Sequence, residues 1–328
     1  MPDSGTARVA PHGEGFAIAQ CGEVFQGVLR EPDGELHRCL VSLPCNELFS
    51  QAHLELSPLY EGVVVEPSTK RKALNAAKMT LERLGIATPR GVLRIASTIP
   101  EGKGYGSSTA DCIAAVLAVA SSAAKVLVPE IVAQLVVGAE IASGNVMFER
   151  PVLFAHREGR VLEYYSQSLP AMAVVGFDTE ESRIVETLKF PPAVYSSGEE
   201  GKFRVLAAGL KKAIETQDVR LLGKIATCSA SINERFLPKP YFSEVCSLVL
   251  EVGALGVAVA HSGTAGSILI DCTEPEFEWK MDLIEKRLAL FGFRNVVRFE
   301  TSYGRATSHE ARHRNARHLF RSASSGSS

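Results

Sequence analysis

The chain has 328 residues, of which 46% are hydrophobic and 22% are charged, and its 35 Lys and Arg nearly balance its 37 Asp and Glu, giving a formal net charge of −2. This is the composition of an ordinary globular protein, and the near-neutral charge argues against a dedicated nucleic-acid binder, which normally carries a strong basic excess. A chain of this length exceeds the range in which one core usually keeps growing, so we expect two domains.

Cysteine usage and hydropathy indicate a reduced compartment. The seven cysteines form no CxxC pair and leave one over from any complete pairing, so reduced thiols are the simpler interpretation. No run of about 18 consecutive apolar residues occurs, and the N-terminus lacks an apolar stretch of the secretory type. We therefore expect a cytoplasmic protein without a membrane span.

The part of the chain before residue 100 alternates short β-type runs with turn signals, which predicts a mostly antiparallel sheet. Its strands are expected at 16–20, 36–43, 52–57 and 91–98. Apolar residues at helical spacing predict an amphipathic helix from Lys70 to Leu84, with Gly85 as its C-terminal stop.

Two more helices and a hairpin are predicted next. A run of small and apolar residues predicts a buried helix from Thr109 to about Val128, and a second helix extends from Pro129 to about Ala142. The hairpin that follows has Glu158-Gly159 at its tip.

A composition shift near residue 170 marks the expected domain boundary. Beyond it, residues 182–202 predict linker and turn. Strands are predicted at 171–178, 256–263 and 266–272, and helices at about 202–216, 218–233, 241–254 and 274–291. The predicted domains are 1–169 and 170–303, and the basic tail at 304–328 has the composition of a disordered or weakly helical terminus.

The most informative stretch is PEGKGYGSSTAD at 100–111, which follows a predicted strand and opens a predicted helix. Its glycines permit close approaches that a Cβ would block, and a helix N-terminus presents unsatisfied N–H groups with a partial positive charge. This combination is typical of an anion site, most often for phosphate. Lys103 can add a charge, and the Ser107 and Ser108 hydroxyls can donate to phosphate or coordinate magnesium.

Neither of two standard phosphate motifs matches this loop. Lys103 precedes the serines by four residues, which excludes GxxxxGK[ST]. The third glycine stands at 106 rather than 107, and no parallel βαβ pattern surrounds it, which excludes GxGxxG. The alternative to a phosphate site is a purely structural role for this loop, as a Gly/Ser turn with a helix N-cap.

The loop resembles the PxxxGxGSSxA signature of the GHMP kinases, the superfamily named for galactokinase, homoserine kinase, mevalonate kinase and phosphomevalonate kinase. CGEVFQG at 21–27 and GVAVAHSGTAGS at 256–267 resemble the early and late family motifs, in the family's order. Together with GSSTAD and LPKP at 237–240, they resemble most closely the L-threonine kinase branch associated with cobalamin side-chain synthesis. The resemblance covers roughly residues 17 to 300.

This resemblance implies an α+β protein with the two-domain GHMP kinase fold. The N-terminal domain would be like ribosomal protein S5 domain 2, and the C-terminal domain would be a ferredoxin-like α/β sandwich. The implied activity is transfer of the γ-phosphoryl group of ATP, with Mg²⁺, to a small hydroxylated amino acid, mostly by positioning and charge stabilisation. The expected product is O-phospho-L-threonine for cobalamin biosynthesis. No nucleic acid or membrane partner is implied, and the resemblance leaves room for a homodimer.

The nucleotide site follows from the resemblance residue by residue. The residues expected to wrap the ATP phosphates are Pro100, Gly102, Lys103, Gly104, Gly106, Ser107, Ser108 and Thr109. Ser108 and Glu140 would bind Mg²⁺, since hard oxygen ligands are the kind that this ion prefers. The implied catalytic set is Ser108, Glu140, Lys103 and Ser143.

Ser143 departs from the family pattern. Related kinases commonly carry an aspartate at this position as a proposed base for the acceptor hydroxyl, and a serine cannot replace a carboxylate as a base at pH 7. Either the reaction needs no such base, as is thought for homoserine kinases, or the protein is an ATP-binding pseudokinase or sensor.

The residues expected to bind the acceptor are Glu23, Gln26, His261, Ser262, Gly263 and Lys239. Each has a structural alternative: Glu23 and Gln26 could close a turn, His261 could be a satisfied structural histidine, and Lys239 could be an exposed loop lysine. Homoserine, serine or a sugar acid are the alternative acceptors. A nucleic-acid-associated role for the arginine-rich tail is a further alternative, which salt-sensitive binding would reveal.

Overall fold

The computed structural model describes residues 10–87, 89–180, 182–183 and 193–301, so the predicted tail at 304–328 lies outside the described residues. The elements within these ranges are β1 (His12–Arg30), β2 (Leu36–Leu56), β3 (Val63–Glu66), α1 (Arg71–Arg83), β4 (Gly91–Ser97), α2 (Ser107–Ser122), α3 (Pro129–Glu140), β5 (Val152–Ala155), β6 (Arg160–Tyr164), β7 (Ala173–Asp178), α4 (Ser197–Glu215), α5 (Val219–Asn233), α6 (Phe242–Val252), β8 (Gly256–Val259), β9 (Ala265–Ile270), α7 (Phe277–Leu290) and β10 (Arg294–Glu300).

One sheet runs through the described chain in the order β10-β7-β9-β8-β1-β2-β4-β3, and the β5–β6 hairpin attaches to β2. Its pairings are antiparallel except for β3 with β4, as the sequence predicted. Strands from before and after residue 170 meet where Glu23 of β1 pairs with Val259 of β8. Strands of the two predicted domains therefore belong to one sheet, joined at the pairing of β1 with β8. The domain limits themselves stay predictions.

Strand β1 has 19 residues where only 16–20 was predicted, and β2 is one strand of 21 residues that joins the two strands predicted at 36–43 and 52–57. Most residues in the middle of both strands are buried on both faces, which removes the apolar–polar alternation on which the prediction relied. The register of β1 on β2 shifts on either side of Glu23. Such β-bulges bend a strand and redirect its side chains, and they are common beside active sites.

The three helices of the first half match their predictions with corrections at the ends. Helix α1 lies where the amphipathic pattern placed it. Helix α2 ends at Ser122 rather than near Val128, and α3 ends at Glu140 because Ile141 turns into the left-handed region with φ of 76°. Helix α2 is buried along nearly its whole length and packs against β1, as its all-apolar surface predicted.

The second half departs from the sequence prediction in two places. Residues 197–202, predicted as linker, form the first turns of α4. The Ser196 hydroxyl accepts a hydrogen bond from the Glu199 N–H and the Glu199 carboxylate accepts one from the Ser196 N–H, which is a capping box that fixes the helix start. Strand β10 was not predicted, because it lacks a regular alternation of buried and exposed residues. In the first half the four-residue β3 was also not predicted.

Two large hydrophobic cores and a small third cluster between α3 and β5 stabilise the sheet. The larger core joins α1, α2, α4 and α5 to the central strands, and the second core lies between α6, α7 and strands β7 to β9. Among the described residues, no helix is long and apolar enough to cross a membrane.

Close packing of β1 on α2 depends on Gly13 and Gly15. A Cβ at Gly15 would lie 1.9 Å from the Ala114 carbonyl oxygen, and one at Gly13 would lie 2.1 Å from that of Ala118. We expect Gly15→Ala to lower the free energy of unfolding by about 3 kcal/mol, because helix and strand must move apart. Urea denaturation measures this. Gly201→Ala in α4 is the matched control, since its Cβ meets nothing within 4 Å, and a comparable loss in both variants would contradict the packing argument.

Candidate active site

A cavity of about 560 Å³ lies between the glycine-rich loop, the start of α1 and the end of α3. We call it the main cleft. The predicted nucleotide and catalytic residues that line it are Gly102, Gly104, Gly106, Ser107, Ser108, Thr109, Glu140 and Ser143. Pro100 and Lys103 do not appear among its lining residues. The structure thus brings most of the predicted set together from two separate segments, the glycine-rich loop with the start of α2 and the end of α3.

The early and late glycine loops meet backbone to backbone. The amides of Thr264 and Ala265 both donate to the Lys103 carbonyl, at 2.9 and 2.8 Å. Gly104 has φ of 94°, and a Cβ there would lie 2.4 Å from the Ser262 carbonyl oxygen. The late loop is therefore a direct support for the early one, and larger side chains would force the two apart.

The N-terminus of α2 opens onto the main cleft. Gly106 precedes the helix with φ of 74° and no side chain caps it, so the N–H groups of the first turn are available to a ligand. These groups and the helix dipole favour an anion at this point. The geometry supports the sequence-based expectation of a phosphate site.

Glu140 is a buried carboxylate at the edge of the main cleft. Its Oε1 accepts a 2.6 Å hydrogen bond from the Thr109 hydroxyl, and the Ser108 hydroxyl also hydrogen-bonds to it. Burial raises the pKa of Glu140, while these hydroxyls and the Lys72 ammonium, 3.8 Å from Oε2, oppose the rise. A carboxylate with adjacent hydroxyl oxygens is a donor set that fits Mg²⁺.

Lys103 does not extend into the main cleft. Its ammonium lies 3.1 Å from Asp178 Oδ2 and donates to the carbonyls of Glu180 and Arg183 at 2.7 and 2.9 Å. The other carboxylate oxygen of Asp178 accepts from the Thr264 hydroxyl. In this arrangement Lys103 links the early loop to the end of β7, and its predicted contact with phosphates receives no support from the geometry.

Other cations line the cleft in its place, and the sequence analysis missed them. They are Lys70, Arg71 and Lys72 at the start of α1. Lys70 forms 2.6 Å ion pairs with Glu101 and with the buried Asp111. The KRK run is visible in the sequence, but a charged helix start is ordinarily a solvated surface, and only the fold shows that it faces the glycine loop.

Ser143 lies at the floor of the main cleft beside a histidine that the sequence analysis did not select. The Ser143 hydroxyl donates to the Gly144 carbonyl at 2.8 Å, and its N–H donates to the His156 carbonyl at 3.0 Å. The His156 ring packs edge to face on His261, with centroids 4.6 Å apart. Burial lowers the pKa of His156 well below its ordinary value and that of His261 to about 4, so both rings are neutral at pH 7.

Glu23 and Gln26 lie within β1, so the turn proposed as their alternative is wrong. Burial raises the pKa of Glu23 to about 8, and its Oε1 accepts from Gln20 Nε2 at 2.8 Å. Gln26 Nε2 donates to the Val259 carbonyl, which leaves Gln26 Oε1 as the acceptor 3.0 Å from His261 Nδ1. His261 is therefore assigned a proton on Nδ1, with Nε2 as its accepting nitrogen.

A second, smaller cavity of about 80 Å³ adjoins the main cleft, and His261 and Ser262 line both. We call it the side cavity. Gln26 and Lys239 line it as well, and Lys239 is only 7% exposed, so the exposed-lysine alternative is wrong. Its other polar lining residues, which the sequence analysis missed, are Arg38, Arg157, Tyr195, Asn233 and Glu234. Gly263 lines neither cavity and instead packs on Lys103.

In sequence and in fold, this chain is similar to known small-molecule kinases. Residues 71–148 match the model of the GHMP kinases N terminal domain. The L-threonine kinase of Citrobacter freundii is 30% identical over 200 residues, covering 60% of this chain and 68% of that protein. The L-threonine kinase of Salmonella typhimurium is 27% identical over 281 residues, covering 84% and 90%. The crystal structure of homoserine kinase from Cytophaga hutchinsonii superposes with a TM-score of 0.66 at 19% identity, covering 89% and 95%, which shows a shared fold.

The buried pair of Lys103 and Asp178 yields a prediction about stability. We expect Lys103→Met and Asp178→Asn each to lower the free energy of unfolding by about 3 kcal/mol, because each leaves an unpaired polar group in the interior. The double variant should lose less than the sum by at least about 1 kcal/mol. Urea denaturation of the three variants measures this coupling. Additive losses would contradict the pairing, and Lys125→Met, at an exposed position, is the control.

Proposed function

We propose that this chain, which belongs to the GHMP kinases and within them to the L-threonine kinase branch, transfers the γ-phosphoryl group of ATP to the hydroxyl of L-threonine. The observation that carries the proposal is the meeting of the uncapped α2 N-terminus with the buried Glu140 carboxylate at a cleft that adjoins a second polar cavity. The products are ADP and O-phospho-L-threonine. The α+β GHMP kinase fold expected from the sequence is confirmed.

The glycine loop and the start of α1 position the nucleotide in this proposal. Backbone N–H groups from Gly106 onward donate to phosphate oxygens, and the cationic residues Arg71 and Lys72 line the same cleft. Lys70 is held in its ion pairs with Glu101 and Asp111. Ser108 and Glu140 would hold Mg²⁺, which when bound would neutralise charge on the phosphate oxygens. Their rigid placement matters because phosphoryl transfer gains most of its rate from positioning and charge stabilisation.

The acceptor hydroxyl requires no carboxylate base in this site. Burial holds Glu23 protonated near neutral pH, and the Ser143 hydroxyl donates to a carbonyl. The neutral His261 lines both cavities and has Nε2 as its accepting nitrogen, so in this proposal it accepts a hydrogen bond from the hydroxyl and orients it. In a loose transition state the nucleophile loses its proton late, so orientation is sufficient.

Three finer expectations stay predictions: the cytoplasmic location, the homodimer, and a place in cobalamin biosynthesis. The domain limits at 169 and 303 likewise stay predictions. The relatives named L-threonine kinase support threonine as the acceptor over homoserine, serine or a sugar acid.

The experiment that tests the function measures acceptor-dependent ADP release from Mg-ATP. L-Threonine, L-homoserine, L-serine and a sugar acid are each supplied, and phosphorus NMR identifies the product. We expect turnover with L-threonine to exceed that with the others. No turnover with L-threonine alongside turnover with another acceptor would overturn the assignment.

Substitutions of the magnesium ligands sharpen this experiment. We expect Ser108→Ala and Glu140→Gln each to lower kcat for L-threonine by about 100-fold or more, because transition-state charge is then less well stabilised. Thermal denaturation confirms the fold. Glu82→Gln, at an exposed position on α1, is the matched control. Wild-type rates in both site variants would remove Ser108 and Glu140 from the mechanism.

Substitution of Ser143 distinguishes an active kinase from a pseudokinase or sensor. If the wild-type enzyme works without a carboxylate base, Ser143→Asp should lower kcat by about tenfold, because a new carboxylate would be buried facing the Gly144 carbonyl. Ser143→Asn is the neutral variant of similar size. A pseudokinase predicts the reverse: ATP binds to the wild type without turnover, and Ser143→Asp creates activity.

A further inference from the structure

The side cavity is lined by more cationic than anionic side chains. Three cationic side chains line it, from Arg38, Arg157 and Lys239, against the single carboxylate of Glu234. In the part of the chain that the structure describes, neither arginine forms an ion pair with a carboxylate, and Arg38 donates to the Ala193 carbonyl. Such a concentration of positive charge in a recess favours an anionic ligand group.

The electrostatics of neighbouring groups support this description. Burial, opposed by Glu234 and aided by the nearby Arg183, lowers the pKa of Lys239 to about 8. Lys239 Nζ donates to the Leu237 carbonyl at 3.0 Å. Arg157, Lys239 and Arg38 also add to the effect of burial in lowering the pKa of His261. The positive charges of these three residues therefore act together on His261, which lies where the side cavity adjoins the main cleft.

Glu234 supplies the opposite charge on the same wall. Its Oε1 accepts a 2.5 Å hydrogen bond from the Lys239 N–H. Its Oε2 is buried and has no hydrogen-bond partner within the described residues. A buried carboxylate oxygen without a donor is costly, and a ligand ammonium group would satisfy it.

The remaining polar residues of the side cavity are already engaged in fixing its walls. Asn233 Oδ1 accepts from the Tyr195 hydroxyl, and its Nδ2 donates to the Gln26 carbonyl. Gln26 in turn holds the His261 ring. These hydrogen bonds fix the part of the wall that Gln26, Asn233 and His261 form, whereas Arg157 is exposed at the mouth of the cavity.

We propose that the side cavity binds the head group of a free α-amino acid: Arg38, Arg157 and Lys239 hold its carboxylate, and Glu234 holds its ammonium. The ligand's side chain then passes His261 and Ser262 into the main cleft. This inference rests on the proposed kinase function for the direction of the side chain, and it narrows the acceptor class to zwitterionic amino acids. A cavity of about 80 Å³ that adjoins the main cleft has room for such a head group.

The test uses L-valine, which has the shape of L-threonine but no hydroxyl to phosphorylate. Isothermal titration calorimetry of the full chain with Mg-ADP present measures its affinity, beside isovalerate, which lacks the ammonium, and isobutylamine, which lacks the carboxylate. We expect L-valine to bind at least about tenfold more tightly than either analogue, since each loses a charge-assisted hydrogen-bonded group.

Variants then identify the residues. Arg157→Gln and Glu234→Gln should each weaken L-valine binding by about tenfold or more, and Glu234→Gln should leave isovalerate binding unchanged. Arg157→Lys should restore part of the affinity, because it returns the charge without the forked geometry. Arg204→Gln and Glu82→Gln, at exposed positions that line neither cavity, are the matched controls.

The outcomes separate this inference from the proposed function. Binding of L-valine that depends on Arg157 and Glu234, without ADP release from any hydroxy amino acid, would support the head-group site and refute the kinase. Equal turnover of L-threonine and 3-hydroxybutyrate would support a kinase and overturn the head-group site. Failure of L-valine to bind or to compete with L-threonine, or unchanged binding in both variants, would also overturn it.

Discussion

The contact between the two glycine loops is the constraint on which the rest of the site depends. The Lys103 carbonyl accepts hydrogen bonds from two consecutive amides of the late loop, and Gly104 and Gly263 approach within distances that no side chain would allow. This contact sets the position of the α2 N-terminus relative to β8 and β9. It therefore decides where a phosphate can lie relative to His261 and Ser262, which end the main cleft and begin the side cavity.

Charge is distributed in the site in a way that the net charge of the chain conceals. The phosphate-binding end combines backbone amides with the basic start of α1, and the buried Glu140 lies opposite. Lys103, the one lysine inside the glycine-rich motif, is used instead in an ion pair with Asp178. A cation beside a phosphate loop is therefore no guide by itself to phosphate binding, because a nearby buried carboxylate competes for it.

The region around Ser143 suits a reaction that depends on orientation rather than on a strong base. Ser143 and His156 are joined through the backbone, His156 packs on His261, and His261 is held by Gln26. Burial keeps both rings neutral at pH 7. This chain of contacts connects the position of the missing aspartate to the side cavity, so that the acceptor would be oriented from both sides.

The sequence by itself determined the local features: helices α1 to α3 and α5 to α7 with small errors at their ends, the antiparallel sheet, the glycine loop, and the family to which the chain belongs. It could do so because these features depend on periodicity and on short motifs whose residues are adjacent in the chain. It failed for the long central strands, because burial on both faces removes alternation, and for the first turns of α4.

Only the tertiary structure decided which side chains face the two cavities. Lys70, Arg38, Arg157, His156 and Glu234 belong to segments that the sequence presents as ordinary helix ends, strands and loops. Lys103 was expected at the phosphates and lies on Asp178, more than seventy residues further along the chain. Contacts of this kind depend on the packing of distant segments, which no local pattern encodes, whereas the glycines that permit the packing were visible in the sequence from the start.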